Sequence, residues 1–344
     1  MLFNFYNEFY LKISEGSEKD AGYIANKFRH YRVSLDESDH GNKLIHIIYK
    51  ECFSCNDLFY LGKEAAYDKD SFFILDKNGF KLKFDFEQIF YKNIIELESG
   101  FDQQFFADLL RSIVFIRLLL CGLVPVHSCS VEIDGNGVLF PAWGGVGKTR
   151  LLLNLTNDGA KFISDEWTLI KDQSLLPFRD ELLMLDYDMA EYADRVGLSV
   201  LEKIKFLFSR KVRSKNLKML LNYFKLILTH KRYDPGYVFP LQVREACLKK
   251  IYLLQSWDKK EACMVNIAGE ELGAKLTLSF CRENRDFFYY YNMYKFAKSI
   301  NLDILENIQE IYQQEIMKAI AGKHILQLNL PKNNIKGVRI REKI

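Results

Sequence analysis

The stretch that decides the fold is residues 127–171, HSCSVEIDGNGVLFPAWGGVGKTRLLLNLTNDGAKFISDEWTLIK. Its centre, AWGGVGKT at residues 142–149, has the pattern of a phosphate-binding loop. The apolar residues 137–140 before it predict a strand, and the leucine-rich residues 150–157 after it predict a helix. A glycine-rich turn between strand and helix directs backbone N–H groups at an anion, and the helix N-terminus adds partial positive charge. The stretch therefore predicts a site for nucleotide phosphates.

Within this loop the residues divide by role. Four residues supply the backbone N–H groups of the cradle: Gly144, Gly145, Val146 and Gly147. Lys148 supplies a mobile positive charge for the outer phosphates, and the Thr149 hydroxyl is a natural Mg²⁺ ligand. The consensus begins with glycine, whereas this loop begins with Ala142, a residue small enough to fit if its φ angle is ordinary.

Two carboxylates follow the loop. Asp165 and Glu166 come sixteen residues or more after Thr149, at the end of a short predicted strand over residues 161–163. Beside a phosphate loop, one carboxylate can hold Mg²⁺ while the other accepts the proton of an attacking hydroxyl. Taken alone, the pair also fits a solvated turn, and His127 on the other side of the loop also fits a buried structural histidine.

Together, these features resemble the HPr kinase/phosphorylase family, whose C-terminal domain is similar to the nucleotide-binding core of phosphoenolpyruvate carboxykinases. His127 stands at the family's histidine position, residues 144–149 at its loop, and residues 159–166 (GAKFISDE) at its acidic segment. A fainter likeness extends over residues 118–331. It includes a late core strand at residues 250–254 and a closing helix and strand at residues 316–331.

The resemblance implies an α/β (α+β) fold with an HPr-kinase-like P-loop core, and an ATP- and Mg²⁺-dependent kinase acting on a hydroxyl group. Lys148 would neutralise charge in the transition state, and Thr149 and Glu166 would hold Mg²⁺. Asp165 would be the general base, with His127 positioning or assisting it. We expect an ordinary carboxyl pKa near 4 for Asp165, which keeps it ionised at neutral pH. The resemblance also suggests a homo-oligomer.

The chain departs from the family at three positions, and these departures bear on which acceptor is expected. Glu166 replaces the family's second aspartate, Gly144 replaces its loop serine, and Ala142 replaces its first loop glycine. The chain also has no clear counterpart of the glycine-rich segment that bifunctional members use in phosphorolysis. The acceptor is therefore expected to be a serine of a peptide or small protein, or a small-molecule alcohol, and the choice between ATP and GTP stays open.

Two rival functions belong to the same fold. A non-catalytic nucleotide-binding module could use triphosphate binding or hydrolysis as a conformational switch, and Ala142 and Glu166 keep that alternative open. A carboxykinase-type enzyme would need further arginines and a Lys/His metal set around a carboxylate substrate, which the sequence does not reveal.

At 344 residues the chain is long enough for two domains. Residues 1–103 alternate short apolar runs with turns, including an Asn-Gly turn within residues 76–79, and predict a β-rich N-terminal module. Residues 104–344 are expected to form the phosphotransferase domain. An apolar helix over residues 105–121 is expected to pack behind the phosphate-loop sheet.

A basic insertion interrupts the second domain, at about residues 186–235. Ten lysine or arginine residues and no acidic residue lie within residues 203–232, after an acidic stretch at 180–194. Apolar residues recur there at helical intervals, which predicts an amphipathic basic helical pair. Three interpretations fit this pattern: a solvated face, a contact surface for an acidic peptide or phosphorylated substrate, and a surface for nucleic acid or an anionic membrane.

The amino-acid composition limits the class of protein, its partners and its cellular location. Hydrophobic residues make up 49% of a chain whose net charge is only +3, which favours a globular protein and gives no reason to expect nucleic acid as a partner. Seven scattered cysteines favour reduced thiols in the cytoplasm. The most apolar run, residues 113–126, is interrupted by Arg117 and is too short to cross a bilayer.

Two smaller clusters are open to two interpretations. Cys52 and Cys55 form the only close cysteine pair, which fits half-buried thiols better than a zinc site, because only His40 and His46 lie nearby. Residues 287–291 are five consecutive aromatics followed by Tyr294, and such a run cannot face one core completely. We expect some of these rings to be exposed as a contact surface.

Overall fold

A computed structural model of the protein describes residues 1–14, 18–34, 43–55, 57–90, 93–179, 182–185, 216 and 230–331. The chain divides into two compact units. The first consists of Met1–Pro125 and Gly273–Ile320, and the second of Val126–Leu272 and Ala321–Ile344. Both units combine a large sheet with helices, so the α/β class expected from the sequence is confirmed.

The first unit is built on a nine-stranded sheet. Its strands are β1 (Leu2–Phe5), β2 (Phe9–Ile13), β3 (Arg32–Val33), β4 (Leu44–Lys50), β5 (Phe59–Leu61), β6 (Ala65–Tyr67), β7 (Phe72–Leu75), β8 (Lys81–Lys83) and β9 (Asn93–Glu98). Their spatial order is β3-β1-β2-β4-β9-β8-β7-β6-β5, with β4 parallel to both β2 and β9. Residues 1–103 are therefore rich in strands, as their short apolar runs predict.

The Asn-Gly turn joins β7 to β8 as predicted. Gly79 adopts φ +83°, a conformation that favours glycine. The buried Asp76 fixes the turn, because its Oδ1 accepts hydrogen bonds from the backbone N–H groups of Asn78 (2.8 Å) and Phe80 (3.0 Å).

Six helices contribute to the first unit in the described part of the chain. They are α1 (Glu18–Lys27), α2 (Gln103–Leu120), most of α5 (Gly269–Glu283), α6 (Arg285–Lys298), α7 (Asp303–Glu306) and α8 (Ile308–Ile320). Asp102 caps α2 by accepting hydrogen bonds from the N–H groups of Gln104 and Phe105, and twelve residues of α2 are buried.

The division of the structure does not coincide with the predicted boundary at residue 103. Helix α2 belongs to the unit of the N-terminal sheet, not to the unit of the phosphate loop behind which it was expected to pack. Its partners explain why. Arg117 lies 5.6 Å from the Phe9 ring, and the Phe105 ring lies 5.8 Å from that of Tyr290 on α6.

The aromatic run lies on α6 and is largely core. Phe287, Tyr290, Tyr291 and Tyr294 are buried, as the spacing of one helical face requires. Tyr289 remains 45% exposed, so the expectation that some of these rings reach the surface is confirmed.

The second unit carries the phosphate loop on an eight-stranded sheet. Its strands are β10 (Val124–Ile133), β11 (Asn136–Pro141), β12 (Lys161–Ser164), β13 (Trp167–Lys171), β14 (Ser174–Pro177), β17 (Ala246–Trp257), β18 (Cys263–Asn266) and β19 (His324–Pro331). They follow the order β11-β10-β13-β14-β17-β19-β18, and β12 pairs with β10. The strands predicted over residues 128–133, 137–140, 161–163 and 250–254, and the closing helix and strand, are all present.

Part of this sheet closes on itself. Strand β11 pairs with β10 and also, in parallel, with β17, so that β11, β10, β13, β14 and β17 form a ring. Gly137 lies where the ring closes, and a Cβ atom there would come within 2.9 Å of the Cys247 carbonyl oxygen. The close approach of the two backbones therefore requires glycine at this position.

The described ends of the predicted insertion form an antiparallel pair, β15 (Leu182–Leu185) with β16 (His230–Tyr233), followed by the short helix α4 (Pro235–Val238). Residues 230–232, which the sequence analysis assigned to a basic helix, therefore lie in a strand. Apart from residue 216, the rest of the basic segment lies outside the described residues, as does most of the acidic stretch.

Two further findings concern the described residues alone. None of their helices is long and apolar enough to cross a membrane. Cys52 is exposed and Cys55 half-buried, and neither forms a disulfide. Burial raises the pKa of the Cys55 thiol.

Candidate functional site: the phosphate loop and its carboxylates

The phosphate loop leaves the sheet at Ala142. This residue is buried, pairs in parallel with Leu254 of β17, and donates its N–H to the carbonyl oxygen of His127 (3.3 Å). It does not adopt a positive φ angle, so alanine is tolerated where the consensus has glycine. Residues 143–145 are exposed, Val146 packs against the core below, and α3 (Lys148–Asn157) follows.

Glycine is required at two loop positions. Gly145 has φ +79°, and Gly147, the N-cap of α3, has φ +100°. Both angles lie in the left-handed region that L-residues with side chains rarely adopt. Gly144 lies beside them with an ordinary φ, and a Cβ atom added to Gly144 or Gly145 would meet no atom within 4 Å. The loop therefore has open space in front of it.

Gly145 and its neighbour Gly144 form a matched pair for mutation. Gly145→Ala adds a methyl group in open space but in a left-handed conformation, which costs about 1–2 kcal/mol for an L-residue. Because the strain is relieved when the loop changes shape, we expect Mg–ATP affinity to fall about tenfold. Gly144→Ala adds the same methyl group without that strain. Isothermal titration calorimetry of both variants should show normal affinity for Gly144→Ala, and equal losses in both would contradict this account of the loop.

The segment after the loop returns the chain to the sheet. Helix α3 ends at Asn157, and Gly159 follows with φ +93°, the left-handed residue that commonly ends a helix. Strand β12 is then held between β10 and residues 239–243. The Phe162 ring stacks on that of Phe239 (centroids 4.4 Å apart), and the Phe162 N–H donates to the Leu241 carbonyl. Asp165 and Glu166 come directly after this anchored strand.

His127, Lys148 and Glu166 meet at one nitrogen atom. The Lys148 Nζ lies 2.9 Å from His127 Nε2, and Glu166 Oε2 lies 3.3 Å from the same nitrogen. An ammonium group can only donate, so Nε2 accepts the hydrogen bond from Lys148 when that contact is made. It must carry a proton to donate to Glu166 instead. The histidine can therefore exchange one partner for the other.

Thr149 and Asp165 form a second contact. The Thr149 hydroxyl donates to Asp165 Oδ2 at 2.9 Å. Among the residues that the structure describes, no hydrogen bond reaches Asp165 Oδ1, although this atom is buried. A buried carboxylate oxygen beside a phosphate loop is available to a substrate hydroxyl or to a cation.

The protonation of Asp165 differs from the expectation. Its burial, and next the negative charge of Glu166, raise the pKa of the carboxyl to about 7, while Lys148 and the Thr149 hydrogen bond lower it. The ordinary pKa near 4 predicted from the sequence is therefore wrong, because side-chain burial cannot be read from the residue type. A pKa near 7 lies close to the range in which a general base is most effective at neutral pH.

Glu166 occupies a strained turn. Its φ is +65°, and the N–H of Trp167 donates to the carbonyl of Asp165 across it at 2.8 Å, a hydrogen bond between residues i+2 and i. Such γ-turns with a positive central φ are rare. The carbonyl of Glu166 accepts from the Ser128 N–H (3.0 Å), which ties the turn to β10 beside His127. The Glu166 side chain is 39% exposed.

The donors present fit Mg²⁺. In the part of the chain that the structure describes, no group of three or more His, Cys, Asp or Glu residues could hold a metal by itself. Mg²⁺ at phosphoryl-transfer sites takes one or two carboxylates and completes its octahedron with phosphate and water oxygens. The Thr149 hydroxyl and the carboxylates of Asp165 and Glu166 offer hard oxygen ligands of this kind.

The structure brings together every predicted site residue within the second unit. It also adds two residues that the sequence analysis did not single out. Trp167 packs its ring on that of His127, with centroids 5.2 Å apart. Cys129, fully buried below the loop, donates its thiol to the Lys148 carbonyl oxygen at 3.6 Å. The position of Trp167 directly after the acidic pair was the available signal, while nothing in the local sequence marks Cys129.

No protein-family model matches this chain, and no curated protein matches it.

Proposed function

We propose that the protein is a Mg²⁺- and ATP-dependent phosphotransferase with an HPr-kinase-like core, and that it phosphorylates a hydroxyl group. One observation carries the proposal. A glycine-rich loop with an intact Gly-Lys-Thr end lies in hydrogen-bond reach of a histidine and two carboxylates: Thr149 contacts Asp165, and Lys148 contacts His127, which contacts Glu166. A phosphate-binding protein that only recognised anions would not need the histidine and the two carboxylates beside its loop.

The loop residues bind and orient the donor. The backbone N–H groups of Gly144, Gly145, Val146 and Gly147 are suited to cradle the β- and γ-phosphates. Lys148 then neutralises negative charge that develops on the transferred phosphoryl group. When bound, Mg²⁺ would supply positive charge to the donor's phosphates, and we assign Thr149 and Glu166 as the residues that would hold it.

The acceptor hydroxyl is activated by Asp165. Its Oδ1 is buried and takes no hydrogen bond from the described residues, so it can accept the acceptor's proton as the oxygen attacks phosphorus. His127 lies between Lys148 and Glu166 and can hold either in place. The acceptor fits a serine of a peptide or small protein, or a small-molecule alcohol, and nucleic acid has no support from the near-balanced net charge.

Phosphate transfer from labelled ATP tests the proposal. The purified protein is incubated with Mg²⁺, ATP carrying a labelled γ-phosphate, and fractions of peptides and small alcohols. Acceptor labelling that depends on Mg²⁺ supports the kinase. Release of free phosphate alone, or tight ATP binding without turnover, would instead support the rival function, a nucleotide-dependent switch of the same fold.

The basic insertion supplies a prediction about the acceptor. We expect reversal of three charges to raise the KM of an anionic acceptor with little change in kcat; the substitutions are Arg210→Glu, Lys211→Glu and Arg213→Glu. The reason is that they remove binding energy that stabilises the bound acceptor and the transition state equally. High salt should reproduce the effect in the unmutated protein, since exposed charges are screened beyond about 10 Å at 0.1 M. Unchanged acceptor kinetics in both measurements would leave the segment as a solvated face.

A further inference from the structure

Trp167 contacts the candidate site in two ways. It begins β13 directly after the carboxylate pair and is 3% exposed, although tryptophan is rarely buried so fully. Its ring lies against the ring of His127, with centroids 5.2 Å apart and planes inclined by 30°. Its backbone N–H donates to the Asp165 carbonyl oxygen and so closes the turn that has Glu166 at its centre. One residue thus contacts both sides of the His127–Glu166 pair.

The ring contact restricts the imidazole. His127 Nε2 has to lie near Lys148 Nζ and Glu166 Oε2, at 2.9 and 3.3 Å, and hydrogen bonds of this kind weaken steeply when the ring rotates. The indole ring packs against one face of the buried imidazole and so opposes its rotation by steric contact. Contact with the face leaves both ring nitrogens, which lie in the plane of the imidazole, open to other partners.

The backbone of Trp167 is itself held. Its carbonyl oxygen accepts a hydrogen bond from the hydroxyl of the buried Ser164, and its N–H bonds the Asp165 carbonyl. Both bonds span the strained residue Glu166, whose φ is +65°. A residue in such a conformation persists only where its surroundings over-determine it.

We infer that Trp167 is a positioning residue for phosphotransfer, acting through His127: it fixes the plane of the imidazole so that Nε2 serves Lys148 and Glu166. The inference rests on the proposed function for its kinetic consequence. Trp167 contacts His127 and the turn at Glu166, neither of which belongs to the phosphate cradle, so its loss should alter the chemical step and leave nucleotide binding intact.

The kinetic test compares three variants. Trp167→Leu removes the flat ring, and we expect kcat to fall by about 10²-fold, the size expected when a catalytic group is misplaced by about 1 Å, with the KM for ATP unchanged. Trp167→Phe keeps an aromatic face and should recover most of that loss. Trp257→Leu is the matched control, because Trp257 is half-buried at the end of β17 in the same unit and its Nε1 donates to the Glu261 carbonyl.

A double-mutant cycle separates positioning from simple destabilisation. If Trp167 acts through His127, Trp167→Leu should cause no further loss in a His127→Ala background, because the group that it orients is gone. Independent losses that multiply would overturn the inference. So would a folded Trp167→Leu protein with normal kcat, and circular dichroism melts of each variant establish folding. If Trp167→Leu does not fold, the cycle is run with Trp167→Met, which also removes the flat ring but keeps more of its volume.

A measurement without turnover keeps this inference separate from the proposed function. The ¹⁵N shifts of histidine ring nitrogens report the tautomer, and the His127 signals are those missing in His127→Ala. We expect Trp167→Leu to change the tautomer balance of His127 and Trp257→Leu to leave it unchanged. If the protein phosphorylates no acceptor but shows this change, the proposed kinase function is refuted and the orientation of His127 by Trp167 is supported. An unchanged tautomer balance would refute the positioning role.

Discussion

Lys148→Ala is expected to lower phosphotransfer by about 10³-fold or more while the protein stays folded, because removal of one preorganised charge-stabilising group from a buried site has effects of 10²–10³ or larger. Lys148 is the only charged side chain between Ala142 and Thr149, and it is 5% exposed. Its ammonium group also contacts His127, so the mutation removes the neutralising charge and one partner of the histidine.

Two further variants make this result specific. Lys148→Met keeps the apolar stem that packs in the buried site and removes only the charge, so it should lose as much activity as Lys148→Ala with less effect on stability. Lys161→Ala removes a half-exposed lysine of β12, which pairs with Glu132, and should keep normal turnover. Near-normal turnover in a folded Lys148→Met protein would contradict the proposed role of the loop.

Asp165→Asn is expected to reduce transfer by about 10²–10⁴-fold, the range for a missing general base, with Mg–ATP affinity nearly unchanged. Glu166→Gln is the matched variant and should weaken Mg²⁺-dependent ATP binding instead. The comparison is informative because the Thr149 hydroxyl contacts Asp165 and not Glu166 in the structure. If Asp165→Asn loses Mg²⁺-dependent binding while Glu166→Gln retains it, the two carboxylates have exchanged roles.

Stability provides the control for this substitution. The pKa of Asp165 is raised in the folded protein to about 7, so ionisation of this carboxyl lowers the stability of the fold as the pH rises from the ordinary carboxyl pKa, near 4, to about 7, and the loss is complete above that. Asparagine can still accept the Thr149 hydrogen bond but carries no charge. We therefore expect the melting temperature of Asp165→Asn at pH 8 to equal or exceed that of the unmutated protein. A lower value would show that the ionised carboxylate stabilises the fold.

Structural features that depend on residues close together in the sequence were predictable. The strand before the loop, the helix after it and the Asn-Gly turn between β7 and β8 all follow from hydrophobic period and glycine placement within a few positions. The composition of the loop and the spacing of His127 and Asp165 from it were sufficient to nominate the site. They gave no account of which side chain contacts which.

Features that depend on surroundings were not predictable. The sequence of α2 shows an apolar helix but not which of two sheets it joins, because an apolar surface is non-directional and its partners lie far along the chain. The same limit applies to Asp165, whose raised pKa comes from burial and from the charge of Glu166.

The sequence by itself determined the glycine-rich loop and its flanking strand and helix, because these are set by backbone preferences and short-range hydrogen bonds. Only the tertiary structure decided that Lys148 and Glu166 share one nitrogen of His127, and that Trp167 covers the histidine ring. Those contacts join β10, α3 and β13, which are brought together by the pairing and packing of whole strands and helices. Desolvation and side-chain orientation depend on that packing, and no local pattern in the sequence encodes them.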